Sequence, residues 1–98
     1  MTFAVELHPL AEAELGAALE RYEQWSGATA TRFLSEFDRA IGQIQGAPER
    51  WPQSAHGTRR YVLRRFPFSV VYRVGDRSII VVAVSHQRKR PGYWRRRR

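Results

Sequence analysis

Three kinds of side chain in the second half of this chain could do chemistry. His86 follows an apolar run, Ile79–Ser85, and precedes Gln87-Arg88-Lys89-Arg90. An imidazole there either titrates near neutrality and donates to a phosphate or caps the strand as an ordinary polar residue. The cations beside it depress its pKa and favour the neutral base. Arg59, Arg60, Arg64, Arg65 and Arg73 lie on or beside strand-like segments. Guanidinium groups there can clamp phosphates or a partner's carboxylates, or simply face solvent. Tyr93 and Trp94 stand inside Arg88-Lys89-Arg90-Pro91-Gly92-Tyr93-Trp94-Arg95. Aromatics among arginines either stack on bases or fold back over a sheet. The four terminal arginines, Arg95–Arg98, read as a solvated basic tail after a domain spanning residues 1–94.

Other chemistries find little support. The chain has no cysteine, which excludes disulfides and thiolate chemistry. His8, His56 and His86 have no paired spacing, so neither a metal nor another cofactor is expected. No Ser-His-Asp order, strand–Ser–helix elbow or Gly-rich phosphate loop occurs. His8 and His56 read as structural or solvent-facing, and Trp25 and Trp51 as core or core-rim aromatics.

The net charge is +8, unevenly distributed. Residues 1–55 carry Arg21, Arg32, Arg39 and Arg50 against eight acids, whereas residues 56–98 carry 13 Lys/Arg against Asp76 alone. That asymmetry points to an anionic partner, either nucleic acid or an acidic protein. No apolar run reaches the roughly 18–20 residues of a membrane span, and the N-terminus lacks a signal-peptide pattern. A cytoplasmic protein with no membrane partner is the expectation.

The elements that must position these residues follow from periodicity. Residues 3–7 alternate as a short strand that His8-Pro9 stops. A first helix is predicted over Pro9–Trp25, with Leu15, Ala18, Leu19, Tyr22 and Trp25 on one face. A second is predicted over Ala28–Gln45, with Ala30, Phe33, Leu34, Phe37, Ala40, Ile41 and Ile44 inward and Gly46-Ala47-Pro48 as its stop. Residues 47–58 read as a loop. Three strands follow, at Arg60–Arg65, Phe68–Val74 and Ser78–Ser85, the last two joined by Gly75-Asp76-Arg77. The last run is apolar on both faces and so should be the most central. The predicted class is α+β: an N-terminal strand, an antiparallel helical hairpin, then a three-stranded antiparallel sheet.

Arg59-Arg60, RRFPFSVVYRV (Arg64–Val74), IIVVAVSH (Ile79–His86) and RKRPGYW (Arg88–Trp94), with ELHPLAEAEL and IQGAPERWP before them, resemble the RelE/ParE toxin superfamily of bacterial toxin–antitoxin systems. The likeness extends over nearly the whole chain, and FPFSVVYRV with SHQRKRPGYW is more similar to the ParE-type pattern. The resemblance implies a cytoplasmic toxin silenced by a cognate antitoxin whose acidic, partly disordered segment wraps it. A ParE-like member would inhibit DNA gyrase and need no catalytic residue. Arg59, Arg60, Arg64, Arg73, Arg88, Arg90 and Trp94 would then be target- or antitoxin-binding. A RelE-like member would cleave mRNA on the ribosome, with His86 or Glu49 as base, Arg65 and Arg90 steadying the phosphorane and Tyr93 stacking on a base. A non-toxic nucleic-acid-binding module is the third reading that the charge allows.

Overall fold

In the computed structural model, which describes residues 3–98, strand β1 (Ala4–Leu7) leads into helix α1 (Pro9–Trp25). His8 caps that helix: its Nδ1 accepts from the Leu10 N–H at 3.0 Å, and Pro9 occupies the first turn, where no N–H is needed. Ser26 both ends α1 and starts α2 (Gly27–Gly46). Its N–H bonds Tyr22 O at 2.9 Å, and its Oγ accepts from the Thr29 N–H at 3.3 Å. One residue therefore makes the whole connection, and Gly27 is already helical. Among the described residues no helix is long and apolar enough to cross a membrane.

The remaining strands are β2 (Gln53–Ser54), β3 (Thr58–Val62), β4 (Phe68–Val74) and β5 (Ser78–His86). They form one sheet in the order β1-β5-β4-β3-β2. The α+β class and the hairpin stand, but the sheet is five-stranded and mixed. β1 joins it parallel to β5, with Val5 opposite Ile79, because the helical hairpin carries the chain across the sheet before it returns. The segment read as loop contributes β2 and a helical turn at Ala55–Gly57.

β3 starts two residues earlier than predicted and stops at Val62. Its ladder cannot continue, because Glu36 of α2 takes the Arg64 and Arg65 N–H groups instead, at 2.5 and 3.2 Å. Leu63 then closes a tight turn with its N–H on Phe68 O.

The helices pack on one sheet face. Phe33, Phe37, Ala40 and Ile44 of α2 and Ala11 and Ala18 of α1 meet Val70, Tyr72, Ile79, Val81 and Val84. At one end Tyr22, Phe33, Phe66 and Phe68 interlock, with ring centroids 5.1–6.4 Å apart. That cluster is complete without Trp25, which is 80% exposed on the last turn of α1. Trp25 is thus not a core or core-rim aromatic, although Trp51 is half-buried against Tyr61.

A bulge on β5 adds a residue to the sheet's second buried face. Val71 pairs with Ala83 and Tyr72 with Val81, leaving Val82 as the extra residue. Ile79, Val81 and Val84 keep the helix side, while Val82 and Ala83 turn with Val71 to the other side. Trp94, 1% exposed, covers that second face. The both-sided apolar run therefore reflects two covers, the helices and the C-terminal segment.

Candidate functional site

The arginines divide between two surfaces. The first is a groove of about 600 Å3 between α2 and the outer side of β3. Arg32, Glu36 and Arg39 recur along one face of α2, where three- and four-residue spacing aligns them. Arg64 and Arg65 project from the β3–β4 turn opposite them, and Arg50 and Trp51 close one end. Val62, 64% exposed, lies on the strand between. Among the described residues β2 pairs with Thr58 and Arg59 and Pro52 O takes the Arg60 N–H, so β3 from Tyr61 onward has no further strand on its outer side.

The second surface lies on the face away from the helices. Tyr93 donates to Glu14 Oε2 at 2.7 Å. Arg97 forks onto the same carboxylate at 2.9 and 3.0 Å and also donates to Val82 O at 3.0 Å. Glu14 Oε1 accepts from the Val84 N–H at 3.0 Å. β1 ends opposite Val81, so these side chains satisfy the part of the β5 edge that β1 leaves uncovered. Burial, then the hydrogen bond and charge of Glu14, push the Tyr93 phenol up to about 12. Burial would lower the Arg97 guanidinium, yet its bonds to Glu14 and Tyr93 hold it above its ordinary value. Arg73 extends the network, donating to Arg97 O at 2.9 Å and His56 O at 3.4 Å.

These contacts change the reading of several residues. Trp94 lies in the second core, with its ring edge-on to His56 at 5.9 Å, and presents no surface to a partner. It leaves the partner-contacting set because the apolar cluster of Val71, Val82 and Ala83 holds it. Arg97 departs from a solvated tail for the reason just given, whereas Arg95, Arg96 and Arg98 are exposed. Arg59 is spent inside the fold, donating to Glu49 O and Trp51 O at 3.2 and 2.7 Å. Arg60 is half-buried, and its Nε has no hydrogen-bond partner among the described residues. Arg64, Arg65, Arg88 and Arg90 are exposed.

Arg65, His86 and Tyr93 each have their own neighbours. Arg65 faces the α2–β3 groove, Tyr93 is bound to Glu14, and His86 lies edge-on against Phe68 at 5.0 Å. Among the described residues no hydrogen bond joins any two of the three. Burial, then Arg88, Arg21 and Lys89, lower the His86 pKa, as its cationic setting predicts. Its Nδ1 accepts from the Arg88 N–H at 3.0 Å. The neutral ring implied by that bond carries its proton on Nε2 and offers a donor there rather than a base. Glu49 is an exposed loop residue.

This geometry is accompanied by a match in sequence. The family model for the ParE toxin of type II toxin-antitoxin system, parDE, matches residues 5–91. The chain belongs to the ParE toxin family. It is therefore a toxin component of the type II toxin–antitoxin class, within the superfamily that its motifs resemble. A chain of the chromosomal ParDE TA system from P. aeruginosa shares the fold at 21% identity and a TM-score of 0.75, over 87% of this chain and 96% of that one. No curated protein matches the chain significantly in sequence.

Two residues of this ParE-family chain carry more than sequence reasoning assigned them. Glu14 reads as an ordinary acid near a helix start, yet its position among Ala11, Leu15 and Ala18 puts a carboxylate beside the buried stripe. That interruption was the available signal. Glu36, the acceptor for the β3–β4 turn, has no comparable mark because α2 places it at the margin of its apolar face.

Proposed function

We propose that this ParE-family chain inhibits DNA gyrase by binding it, and that a cognate antitoxin silences it in the bacterial cytoplasm. What supports the non-catalytic reading is that two of the side chains Arg65, His86 and Tyr93 already have protein partners: the Tyr93 hydroxyl donates to Glu14, and His86 Nδ1 accepts from the Arg88 N–H. A ribonuclease would need these groups free to act on one phosphate. Binding alone needs no such constellation, and Arg88 and Arg90, exposed just beyond β5, suit a contact with the target.

The α2–β3 groove is the seat we assign to the antitoxin. An extended segment can add a strand beside β3, so that main-chain bonds supply affinity. Acidic side chains of that segment would meet Arg32, Arg39, Arg64 and Arg65, and an apolar one would cover Val62. The ParDE structure to which this fold is similar comes from a toxin–antitoxin system, in keeping with such a partner.

The test is antitoxin-free expression followed by a supercoiling assay with purified gyrase. Growth arrest and loss of supercoiling are expected, and Arg88→Glu with Arg90→Glu should weaken both. Harmless expression at a verified soluble level, or full supercoiling at excess chain, would sink the proposal. So would discrete cuts in mRNA from arrested cells that vanish in His86→Ala.

A further inference from the structure

The C-terminal turn builds a second basic surface, on the face opposite the α2–β3 groove. Arg73 and Ile80 are cross-strand partners on the helix-free side of the sheet. Arg95, Arg96, Arg97 and Arg98 fold over them to enclose a cup of about 670 Å3. The cup is held in place from three directions. Trp94 is buried beneath it, Arg97 is forked onto Glu14, and Arg73 holds the Arg97 carbonyl. Its arginines are thereby presented by the fold rather than carried on a free tail.

We propose that this cup binds the phosphate backbone of duplex DNA. No Asp or Glu side chain lines it, and the acid that Arg97 contacts, Glu14, is already neutralised by that pair. The side chains of Arg96 and Arg98 make no hydrogen bond or ion pair among the described residues, and that of Arg95 makes only a long bond to Gly92 O at 3.3 Å. Three guanidinium groups are therefore free for an anion.

The rest of the surface decides which anion. A protein partner binds through buried aromatic or aliphatic anchors, and Ile80 is the single apolar side chain in the lining. Single strands are gripped by stacking bases on exposed aromatics. Here Trp94 is buried, and both Lys89 and Arg97 stack on Tyr93. What remains is charge without a stacking platform, which suits the sequence-independent backbone of a duplex. The two arginine surfaces then separate in role: one for the antitoxin segment, one for DNA. A toxin acting on a DNA-bound enzyme gains local concentration from such a contact.

The test is fluorescence anisotropy of the full chain with a labelled 20-bp duplex of arbitrary sequence. With three phosphates neutralised, affinity should fall about 20-fold when salt is tripled. Arg95→Ala, Arg96→Ala and Arg98→Ala combined should remove most of that dependence and weaken binding at least tenfold in low salt. These side chains are exposed, so an unchanged circular-dichroism melt confirms that the variant is folded. Arg64→Ala with Arg65→Ala, on the other face, should leave duplex binding intact. The proposal is overturned if the duplex does not bind, if the groove pair rather than the cup triple abolishes binding, or if polyglutamate displaces the duplex at equal charge. The last result would mark a protein-docking face. Duplex binding is measured without gyrase or growth, so its failure is distinct from failure of the toxin reading.

Discussion

Removing the Glu14 carboxylate is the sharpest test of how this fold holds its C-terminal segment. Glu14→Ala strips the acceptor from the Val84 N–H, the Tyr93 hydroxyl and both terminal nitrogens of Arg97. The Glu14 and Arg97 side chains are only 21% and 13% exposed, so water replaces these bonds incompletely. A buried donor left unpaired costs about 1–3 kcal/mol. An exposed ion pair is worth about 0–1 kcal/mol, and breaking a fully buried one costs about 3–5 kcal/mol. A partly buried, forked pair with two further donors falls between, at about 3 kcal/mol, and the better helix propensity of alanine returns only a few tenths. For a chain of this size that lowers Tm by about 12–20 °C. The assay is urea unfolding of wild type, Glu14→Ala, Arg97→Ala and the double variant in a Trp25→Phe, Trp51→Phe background, which leaves Trp94 as the single tryptophan. Trp94 fluorescence quenching by acrylamide then reports release of the segment. A coupling energy of about 1–2 kcal/mol is expected between the two positions. A Glu14→Ala loss below about 1 kcal/mol, or a cycle that closes additively, would refute the claim that this network pins the segment.

Two further outcomes follow from the same face. Tyr93 titrates at about 12 in the folded chain against 10.0 ordinarily; the unfolded chain therefore loses this proton first, so its stabilising contribution is complete below about pH 10 and disappears between pH 10 and 12. Tyr93→Phe should flatten that part of the stability–pH curve, with Tyr22 and Tyr72, both raised by burial, accounting for the alkaline loss that persists. Gly92→Ala should cost about 1–2 kcal/mol, because φ is +77°; the new methyl would meet His56 Nε2 at 3.5 Å, an ordinary contact. Gly57→Ala, at φ +69° with open space around it, should cost about the same in a urea titration, since the backbone conformation is the shared cause.

Local pattern carried much of the fold. The helical stripes of Phe33, Phe37, Ala40 and Ile44, with Ser26-Gly27 between the helices, placed α1 at its observed bounds and α2 within a residue at each end. Phe68–Val74 was legible in full, since Pro67 and Gly75 bracket it. Trp25 misled, because its spacing continues the stripe of α1 although four other rings already fill that end. Arg64 and Arg65 misled too: a strand pattern runs through them, but a carboxylate 28 residues earlier claims the Arg64 N–H.

The sequence by itself determined the class of fold, the charge asymmetry and the family likeness, because these live in periodicity, composition and motif order. Tertiary structure alone decided which arginines are free. Arg59, Arg73 and Arg97 are consumed by carbonyls and by Glu14, while Arg64, Arg65, Arg96 and Arg98 remain exposed, and nothing local distinguishes the two groups. The physical reason is distance along the chain. The bond from Arg97 to Glu14 spans 83 residues, and it is made where Trp94 packs on Val71, Val82 and Ala83.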